Sequence, residues 1–162
     1  MPHYNVLFLC TGNSARSIMA EAIMNWKGRE NFVAYSAGSH PTGAVREEAL
    51  RQIESANLNT AGLRSKSWGE FAKPGAPVIN FVFTVCDSAA NEVCPVWPGQ
   101  PLTAHWGVPD PAAITGTPQD VDRAFSQAFS TLERRITLML SLPLASLDAM
   151  ALKSKLDDIG KN

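Results

Sequence analysis

An apolar run that leads through small polar residues into an amphipathic stretch constrains the fold of this chain more than any other feature. Residues 6–9 have the length and composition of a buried strand. Apolar side chains between Met19 and Trp26 then repeat with helical spacing as far as Gly28, which is a typical residue at a helix end. A strand, a tight loop and a helix in this order begin a crossover connection, and such connections join parallel strands.

The same alternation continues along the chain. The further predicted elements are strands at 32–35, 79–85 and 102–106 and helices at 45–56 and 121–139. Thr117 and Pro118 have the residue types that begin a helix, and Pro143 follows its end. The sequence therefore predicts an α/β fold in which helices cover both faces of a parallel sheet.

Length and composition limit the classes of protein to which the chain can belong. Its 162 residues make about one domain on a prior of ~150 residues. We expect residues 1–143 to form that domain and residues 144–162 to add a C-terminal helix packed on it. The hydrophobic fraction is 45%, the charged fraction is 18% and the net charge is -1, which argues against disorder and against general nucleic-acid or membrane-surface binding.

The cysteine content and the hydropathy of the chain indicate its cellular compartment. The chain has three cysteines, Cys10, Cys86 and Cys94. Three is an odd number and too few for a disulfide scaffold, so reduced thiols are expected. No apolar run approaches the ~18 residues of a membrane span, and residues 6–9 are too short for the core of a signal peptide. We therefore expect a cytoplasmic protein. The three histidines are scattered without metal-ligand spacing, so no metal site is predicted.

Polar groups and thiols follow three of the predicted strands. Cys10 follows the first strand, residues 36–38 follow the second, and Cys86 follows the third. Ligands of open parallel sheets bind beyond the carboxyl ends of the strands. The sequence therefore predicts a binding site at this edge of the sheet.

The loop after the first strand has the composition of an oxyanion cradle. Gly12 permits a positive φ, Asn13 tolerates one, and their small neighbours let backbone N–H groups turn towards a tetrahedral anion. Arg16 lies in the first helical turn, where its planar fork can hold two oxygens and the helix dipole attracts negative charge. The predicted oxyanion-binding residues are Thr11, Gly12, Asn13, Ser14, Ala15, Arg16 and Ser17.

The same positive field acts on Cys10. A thiol at a helix N-terminus has its pKa lowered from about 8.5 towards ~3.5–7.5, and Ser17 is placed to donate a hydrogen bond to the thiolate. We therefore interpret Cys10 as a nucleophile aimed at the central atom of the anion. The alternative is an ordinary buried cysteine at a strand end, but the strand, small residues and helix around Cys10 favour the functional interpretation.

Several motifs resemble those of the low-molecular-weight protein tyrosine phosphatase family, and specifically of its arsenate reductase branch. The sequence reads VLFLCTGNSARS at 6–17, MAEA at 19–22, YSAG at 35–38, FTVCD at 83–87, CP at 94–95 and HWGVPDPA at 105–112. The resemblance covers most of residues 4–140. It implies a flavodoxin-like, doubly wound sheet of four parallel strands, and a cytosolic enzyme of arsenical resistance.

The resemblance also implies a reaction. Reduction of arsenate to arsenite takes two electrons, which two thiols supply when they become a disulfide. In the implied relay Cys10 attacks arsenate, Cys86 attacks the Cys10 sulfur as arsenite leaves, and Cys94 then attacks Cys86. Thioredoxin or another cytosolic thiol donor regenerates the enzyme, and no cofactor is implied. Asp110 matches the general acid of the family, although a turn aspartate before a proline is common.

Two departures from the family pattern have consequences. Some reductases of this branch bind a monovalent cation through residues that match Asn13, Glu21 and Ser36 together with an acidic residue. Here Lys66 stands near the acidic position, so no structural potassium is predicted. Ala15 stands where many relatives have a second loop cysteine, which leaves the scheme with three thiols.

Two other functions stay open at this point. A phosphatase for phosphotyrosine or small phosphate esters would use the same loop, but Ala112 stands where the phosphatases typically have an aromatic residue that stacks on the substrate ring. A non-enzymatic oxyanion or redox sensor would switch a surface through Cys86 and Cys94. The electron donor and the oligomeric state are not determined by the sequence.

Overall fold

Four parallel strands form the centre of the molecule. A computed structural model describes residues 3–90 and 97–162, and its strands are β1 (Tyr4–Leu9), β2 (Phe32–Ala37), β3 (Phe81–Thr84) and β4 (Leu102–His105). Their spatial order is β2-β1-β3-β4, and every neighbouring pair is parallel. The register pairs Leu9 with both Ala37 and Thr84, so β1, β2 and β3 end side by side. The predicted α/β class with four parallel strands is confirmed.

The α-helices follow the predicted alternation with the strands. They are α1 (Arg16–Lys27), α2 (Glu47–Ser55), α3 (Asp87–Ala90), α4 (Pro118–Leu140) and α5 (Ala149–Ile159). The N–H of Gly28 donates to the Met24 carbonyl at the end of α1, as its position predicted. A capping box between Thr117 and Asp120 begins α4, with Pro118 in the first turn. None of the helices in the described ranges is long and apolar enough to span a bilayer.

The two faces of the sheet bury separate apolar clusters. Alternate residues of β1 point to opposite sides, so Phe8 joins the larger cluster and Leu7 the smaller one. The larger cluster contains buried side chains from all four long helices, α1, α2, α4 and α5. The smaller cluster is covered by a 3₁₀ helix, Trp68–Phe71, and by Trp97. Both faces of the sheet are therefore shielded, and its carboxyl edge stays available for a site.

The C-terminal helix α5 closes the molecule beside β4. Leu152, Leu156 and Ile159 are buried in the larger cluster. The indole N–H of Trp106 donates to the Leu156 carbonyl over 2.9 Å, and a Cβ at residue 160 would collide with the His105 carbonyl oxygen, so glycine permits this close approach. Residues 144–162 thus contribute both apolar side chains and backbone to the packing around β4.

The sequence prediction for one packing residue is wrong. The apolar spacing from Met19 to Trp26 predicts that Trp26 packs in the core, but 48% of it is exposed, and Lys27 and Arg29 lie over its ring at 5.3 and 5.9 Å from the centroid. It lies near the end of α1, where the helical face turns away from the sheet. Trp106, in contrast, is fully buried and stacks on Phe83 at 3.9 Å between centroids.

Candidate active site

The predicted site residues meet at the carboxyl ends of β1 and β3. A cavity of about 280 Å³ opens there, and its lining includes the predicted residues Cys10, Thr11, Gly12, Ser14, Ala15, Arg16, Cys86 and Asp110. Asn13 and Ser17 are fully buried behind the loop. Cys94 lies outside the described residues, so its predicted role stays a prediction. The structure therefore brings two of the three thiols, the arginine and the aspartate to one cavity.

The backbone of the loop is fixed by Asn13. Its φ is +45°, which agrees with the prediction that Asn13 tolerates a positive φ, whereas Gly12 does not adopt the positive φ that it would permit. The Asn13 side chain accepts a hydrogen bond from the Lys66 N–H at 2.9 Å and donates one to the Ser17 hydroxyl at 2.8 Å. Because these bonds use both ends of the amide, Asn13 ties the loop to the start of α1 and to the segment after β2. Ser17 thus supports the loop from behind.

A close approach at the end of β2 supports the loop from the other side. A Cβ on Gly38 would collide with the carbonyl oxygens of Cys10 and Thr11. The Gly38 N–H donates to the Lys66 carbonyl over 2.9 Å. Only glycine allows the chain to pass this close beneath the loop, so the predicted contribution of residues 36–38 is structural.

Arg16 is held rigidly at one wall of the cavity. Its Nη1 donates to the Val108 carbonyl over 2.8 Å, and its Nη2 lies 3.8 Å from Oδ1 of Asp110. Only 14% of the Arg16 side chain is exposed. The guanidinium therefore has a fixed orientation, and its remaining N–H groups can donate hydrogen bonds to an anion.

Asp110 lies at the rim of the same cavity. Its Oδ1 accepts a hydrogen bond from the Ala112 N–H at 2.9 Å and so caps a 3₁₀ helix, Pro111–Ala113. Nearly half of its side chain, 47%, is exposed. The carboxyl therefore has the turn role that the sequence suggested and also lines the cavity beside Arg16, while its role as a general acid stays a prediction.

The thiols of Cys10 and Cys86 interact directly, and this changes the expected charge distribution. Their hydrogen bond, together with burial, raises the pKa of Cys10 above its ordinary value, and the Arg16 guanidinium only partly opposes this. This direction is opposite to the lowered pKa that the sequence predicted for Cys10. The prediction considered the loop alone and omitted the thiol that β3 brings beside it.

Cys86 carries the negative charge of this pair. The hydrogen bond from Cys10 and the N–H groups of Thr11 and Ala89 lower the pKa of Cys86 to about 5, in spite of burial. The Thr11 N–H lies 3.3 Å from the sulfur, and the Thr11 hydroxyl lies 3.7 Å from it. These hydrogen bonds therefore favour the thiolate form of Cys86, the second thiol of the predicted relay, while Cys10 donates its proton to the pair.

A histidine links β4 to the residue that follows Cys86. One ring nitrogen of His105 is 2.8 Å from the Thr84 hydroxyl, and the other is 2.8 Å from Oδ1 of Asp87. Both ring nitrogens of His105 therefore have partners in the protein, which favours a structural, hydrogen-bonding role over that of a catalytic base. The three side chains fix the start of α3 against the sheet, and with it the position of Cys86.

A buried ion pair lies behind the loop, where the family resemblance implied a cation in some reductases. Lys66 Nζ is 3.8 Å from Oε1 of Glu21 and donates to the Arg64 carbonyl over 3.0 Å. The Ser36 hydroxyl donates to the same carboxylate over 2.5 Å. Burial raises the pKa of Glu21, and Ser36 and Lys66 oppose that rise. The lysine ammonium therefore supplies the positive charge next to these oxygens.

Metal-ligating side chains do not gather elsewhere in the parts of the chain that the structure describes. No group of three or more His, Cys, Asp or Glu side chains among residues 3–90 and 97–162 could hold an ion. The cavity itself is lined by thiols, a carboxyl group and guanidinium groups.

Sequence reasoning missed three contributors to the site. Arg46 lines the cavity, Val108 orients Arg16 through its carbonyl, and Ser65 donates to the Gly12 carbonyl over 3.1 Å. Each reaches the loop from a distant part of the sequence. The only local signal was the run of small and polar residues around 38–46, which is typical of a loop that passes near a site.

Comparisons with known proteins agree with this geometry. Over residues 5–153 the sequence matches the family described as low molecular weight phosphotyrosine protein phosphatase. It is 31% identical over 131 residues to an arsenate reductase of Halalkalibacterium halodurans, which covers 81% of this chain and 91% of that protein. The resemblance to arsenate reductases is thus confirmed at the level of sequence.

Solved structures show the same fold. A low molecular weight protein tyrosine phosphatase from T. tengcongensis superimposes with a TM-score of 0.68 at 24% identity, covering 86% of this chain and 99% of that one. An arsenate reductase in a phosphate-binding state gives a TM-score of 0.67 at 22% identity, covering 83% of this chain and 94% of that one. The extent of the sequence match, together with the loop that holds Cys10 and Arg16, places this chain in the low molecular weight phosphotyrosine protein phosphatase family.

Proposed function

We propose that this protein reduces arsenate to arsenite through a relay of three thiols. The observation that carries the proposal is the pairing of Cys10 with Cys86 inside the oxyanion cavity. A hydrolytic phosphatase needs one nucleophilic thiol, whereas a two-electron reduction needs a second thiol within reach of the first. The sequence similarity to arsenate reductases supports the same reaction.

The first step forms a bond between sulfur and arsenic. Transfer of the shared proton from Cys10 to Cys86 leaves a Cys10 thiolate, whose electron pair attacks the arsenic atom of arsenate. An oxygen of arsenate leaves as water after it takes a proton from Asp110. Arg16 and the loop N–H groups hold the remaining oxygens. Arsenic is still in the pentavalent state in this adduct.

The second step transfers the two electrons. Cys86 loses its proton and attacks the Cys10 sulfur, so a disulfide forms and the bond between sulfur and arsenic breaks. The electron pair of the broken bond stays on arsenic, which leaves as trivalent arsenite. In this adduct Cys10 no longer donates a hydrogen bond, but the N–H groups of Thr11 and Ala89, which also lower the pKa of Cys86, remain beside its sulfur and stabilise the attacking thiolate.

The third step regenerates the nucleophile. Cys94 attacks the Cys86 sulfur, the Cys10 thiolate leaves, and a disulfide between Cys86 and Cys94 results. A thiol reductant such as thioredoxin then supplies two electrons and returns both cysteines to thiols. This cycle needs a reducing compartment, which fits the cytoplasm that we expect for the protein.

Phosphate-ester hydrolysis is the second candidate, because the cavity holds a nucleophile, an arginine and an exposed carboxyl group. The Ala112 side chain argues against an aromatic ester, since it offers no ring for stacking on the substrate. Arsenate and a phosphate ester, offered separately with a thioredoxin system, distinguish the two functions. We expect arsenite release and reductant consumption with arsenate, and at most slow phosphate release from the ester.

Cys10→Ser provides the control. A serine hydroxyl is not ionised in this loop at neutral pH, so the variant should lose both reactions. Phosphate release that exceeds arsenite release in the unaltered protein would contradict the proposed reductase and favour the phosphatase. Arsenite formation by the variant at an undiminished rate would remove Cys10 from the role of nucleophile.

A further inference from the structure

A second arginine lines the oxyanion cavity, and none of the steps above uses it. Arg46 lies at the cavity wall together with Arg16, and it also stands at the N-terminal boundary of α2. Its backbone N–H donates to the Ser14 carbonyl over 2.9 Å, which attaches the residue directly to the anion-binding loop. A guanidinium at this place faces the space that an anion must cross to reach Cys10.

The side chain of Arg46 is held in place rather than free in solvent. Its guanidinium carbon lies 5.7 Å from the ring centroid of Phe125, which is fully buried and therefore rigid. Its Nη2 pairs with Oε2 of Glu48 over 2.7 Å. A cation fixed over an aromatic ring keeps its position at the cavity when a ligand arrives.

Arg16, the other arginine of the cavity, already interacts with groups of the protein. Arg16 donates to the Val108 carbonyl and lies beside the Asp110 carboxylate, and the Cys86 thiolate adds a further negative charge. A doubly charged anion would meet these negative groups at the floor of the cavity. Arg46 adds a cation whose carboxylate partner, Glu48, lies outside the cavity lining, so it offsets this repulsion.

We propose that Arg46 is a second binding residue for the oxyanion substrate, in addition to Arg16, and that its ion pair with Glu48 restrains it. The proposal deepens the proposed function, on which it rests for the identity of the substrate. Residues at the rim of a binding site act mainly on the association rate and its salt dependence. Arg46 should therefore act on binding and leave the sulfur chemistry unchanged.

The two members of the ion pair should have opposite effects. Arg46→Gln removes the cation, so we expect the Kd for inorganic phosphate and the KM for arsenate to rise about 3- to 10-fold with kcat nearly constant. Glu48→Gln removes the competing carboxylate and should lower the same Kd and KM. Arg46→Lys keeps the charge and should recover part of the lost affinity.

Arg51→Gln is the matched control. Arg51 lies on the same helix, and its substitution changes the net charge by the same amount. Its guanidinium pairs with Asp122 over 2.7 Å, and neither residue lines the cavity. Calorimetric titration of each reduced, full-length variant with inorganic phosphate at low and moderate salt measures binding without any turnover. We expect Arg51→Gln to match the unaltered protein and Arg46→Gln to show a weaker salt dependence.

The outcomes separate the two proposals. Equal losses of phosphate affinity in Arg46→Gln and Arg51→Gln would mean that only net charge acts, and would overturn the role of Arg46. An unchanged Kd in Arg46→Gln, or a raised one in Glu48→Gln, would also overturn it. If the unaltered protein does not release arsenite but phosphate affinity still depends on Arg46, the reductase proposal fails while Arg46 remains an anion-binding residue.

Discussion

At the scale of residues, the site is organised by one proton shared between two sulfurs. Cys10 holds the proton because Cys86 accepts its hydrogen bond, and Cys86 is further stabilised as a thiolate by N–H groups of Thr11 and Ala89. The charge therefore lies on the thiol that acts second in the proposed relay. Binding of an oxyanion must shift the proton before the first bond can form.

The pKa of Cys86 provides a prediction for the reduced protein. In a Cys94→Ser background, ultraviolet thiolate absorbance should titrate with a midpoint at about 5. Cys10→Ala in the same background removes the largest cause of the low pKa, so the midpoint should move towards the ordinary value of 9.0. An unchanged midpoint would show that the Cys10 thiol is not the partner of the thiolate.

The same titration has a consequence for stability. The pKa of Cys86 in the folded state lies below its unfolded value, so the unfolded chain binds more protons between the two values. The contribution of Cys86 to stability is fully present above the unfolded pKa of about 9 and is lost as the pH falls through about 5.

Lys66 gives a second prediction at this scale. Lys66→Met leaves the buried Glu21 carboxylate without its cation, and loss of one partner of a buried pair typically costs ~3–5 kcal/mol. The free energy of unfolding should fall, measured by urea denaturation. Lys66→Met combined with Glu21→Gln should recover much of the loss. If the double variant is no more stable than the single one, the two groups do not interact.

At the scale of elements, the short helix α3 is the part that the relay must move. It begins at Asp87, directly after Cys86, and His105 fixes its first residue against the sheet. The sequence after Cys86, with Asp87 as a cap and Pro95 as a break, predicts a helix of barely two turns, and the structure shows helix over Asp87–Ala90. Were the helix to continue to Cys94, the two Cα atoms would stand about 12 Å apart, beyond the ~7 Å limit for a disulfide.

Oxidation should therefore rearrange the segment after Cys86. We expect faster amide hydrogen exchange for residues 87–94 in the form with a disulfide between Cys86 and Cys94 than in the reduced form, while α4 keeps its protection. Mass spectrometry confirms the disulfide in the same sample. Equal protection in both forms would contradict the required unwinding.

The secondary-structure elements also show which parts of the fold and of the site can be predicted from neighbouring residues in the sequence. The strand, loop and helix from β1 to α1 were predictable because apolar periodicity, a glycine end and short loop residues lie next to each other in the chain. Arg46, Ser65 and Val108 were not assigned to the site from the sequence, since each reaches the loop or Arg16 only after the sheet has assembled. The pKa of Cys10 was wrong for the same reason, because its partner arrives on β3.

At the scale of the whole molecule, the last segment of the chain connects the core to the site. Arg135 of α4 donates to the Gly107 carbonyl over 2.9 Å and to the Asn162 carbonyl over 3.1 Å. Gly107 begins the loop that carries Val108 and Asp110. We propose that residues 144–162 fold together with residues 1–143 as one unit that fixes this loop.

Truncation of a buried side chain in α5 tests this unit. Leu156 is fully buried, so Leu156→Ala should lower the free energy of unfolding by about 2–5 kcal/mol within a single cooperative transition. Met150→Ala on the same helix is the control, because Met150 is 84% exposed and should change stability by less than about 0.5 kcal/mol. Two separate transitions, or equal effects of both substitutions, would contradict folding as one unit.

The central claim is that two thiols, Cys10 and Cys86, supply the electrons that reduce arsenate. Its most direct test is the yield of arsenite from reduced Cys94→Ser protein with excess arsenate and no added reductant. We predict about one arsenite for each protein molecule, together with a disulfide between Cys10 and Cys86 in the mass spectrum. No arsenite, or arsenite formed without that disulfide, would contradict the account.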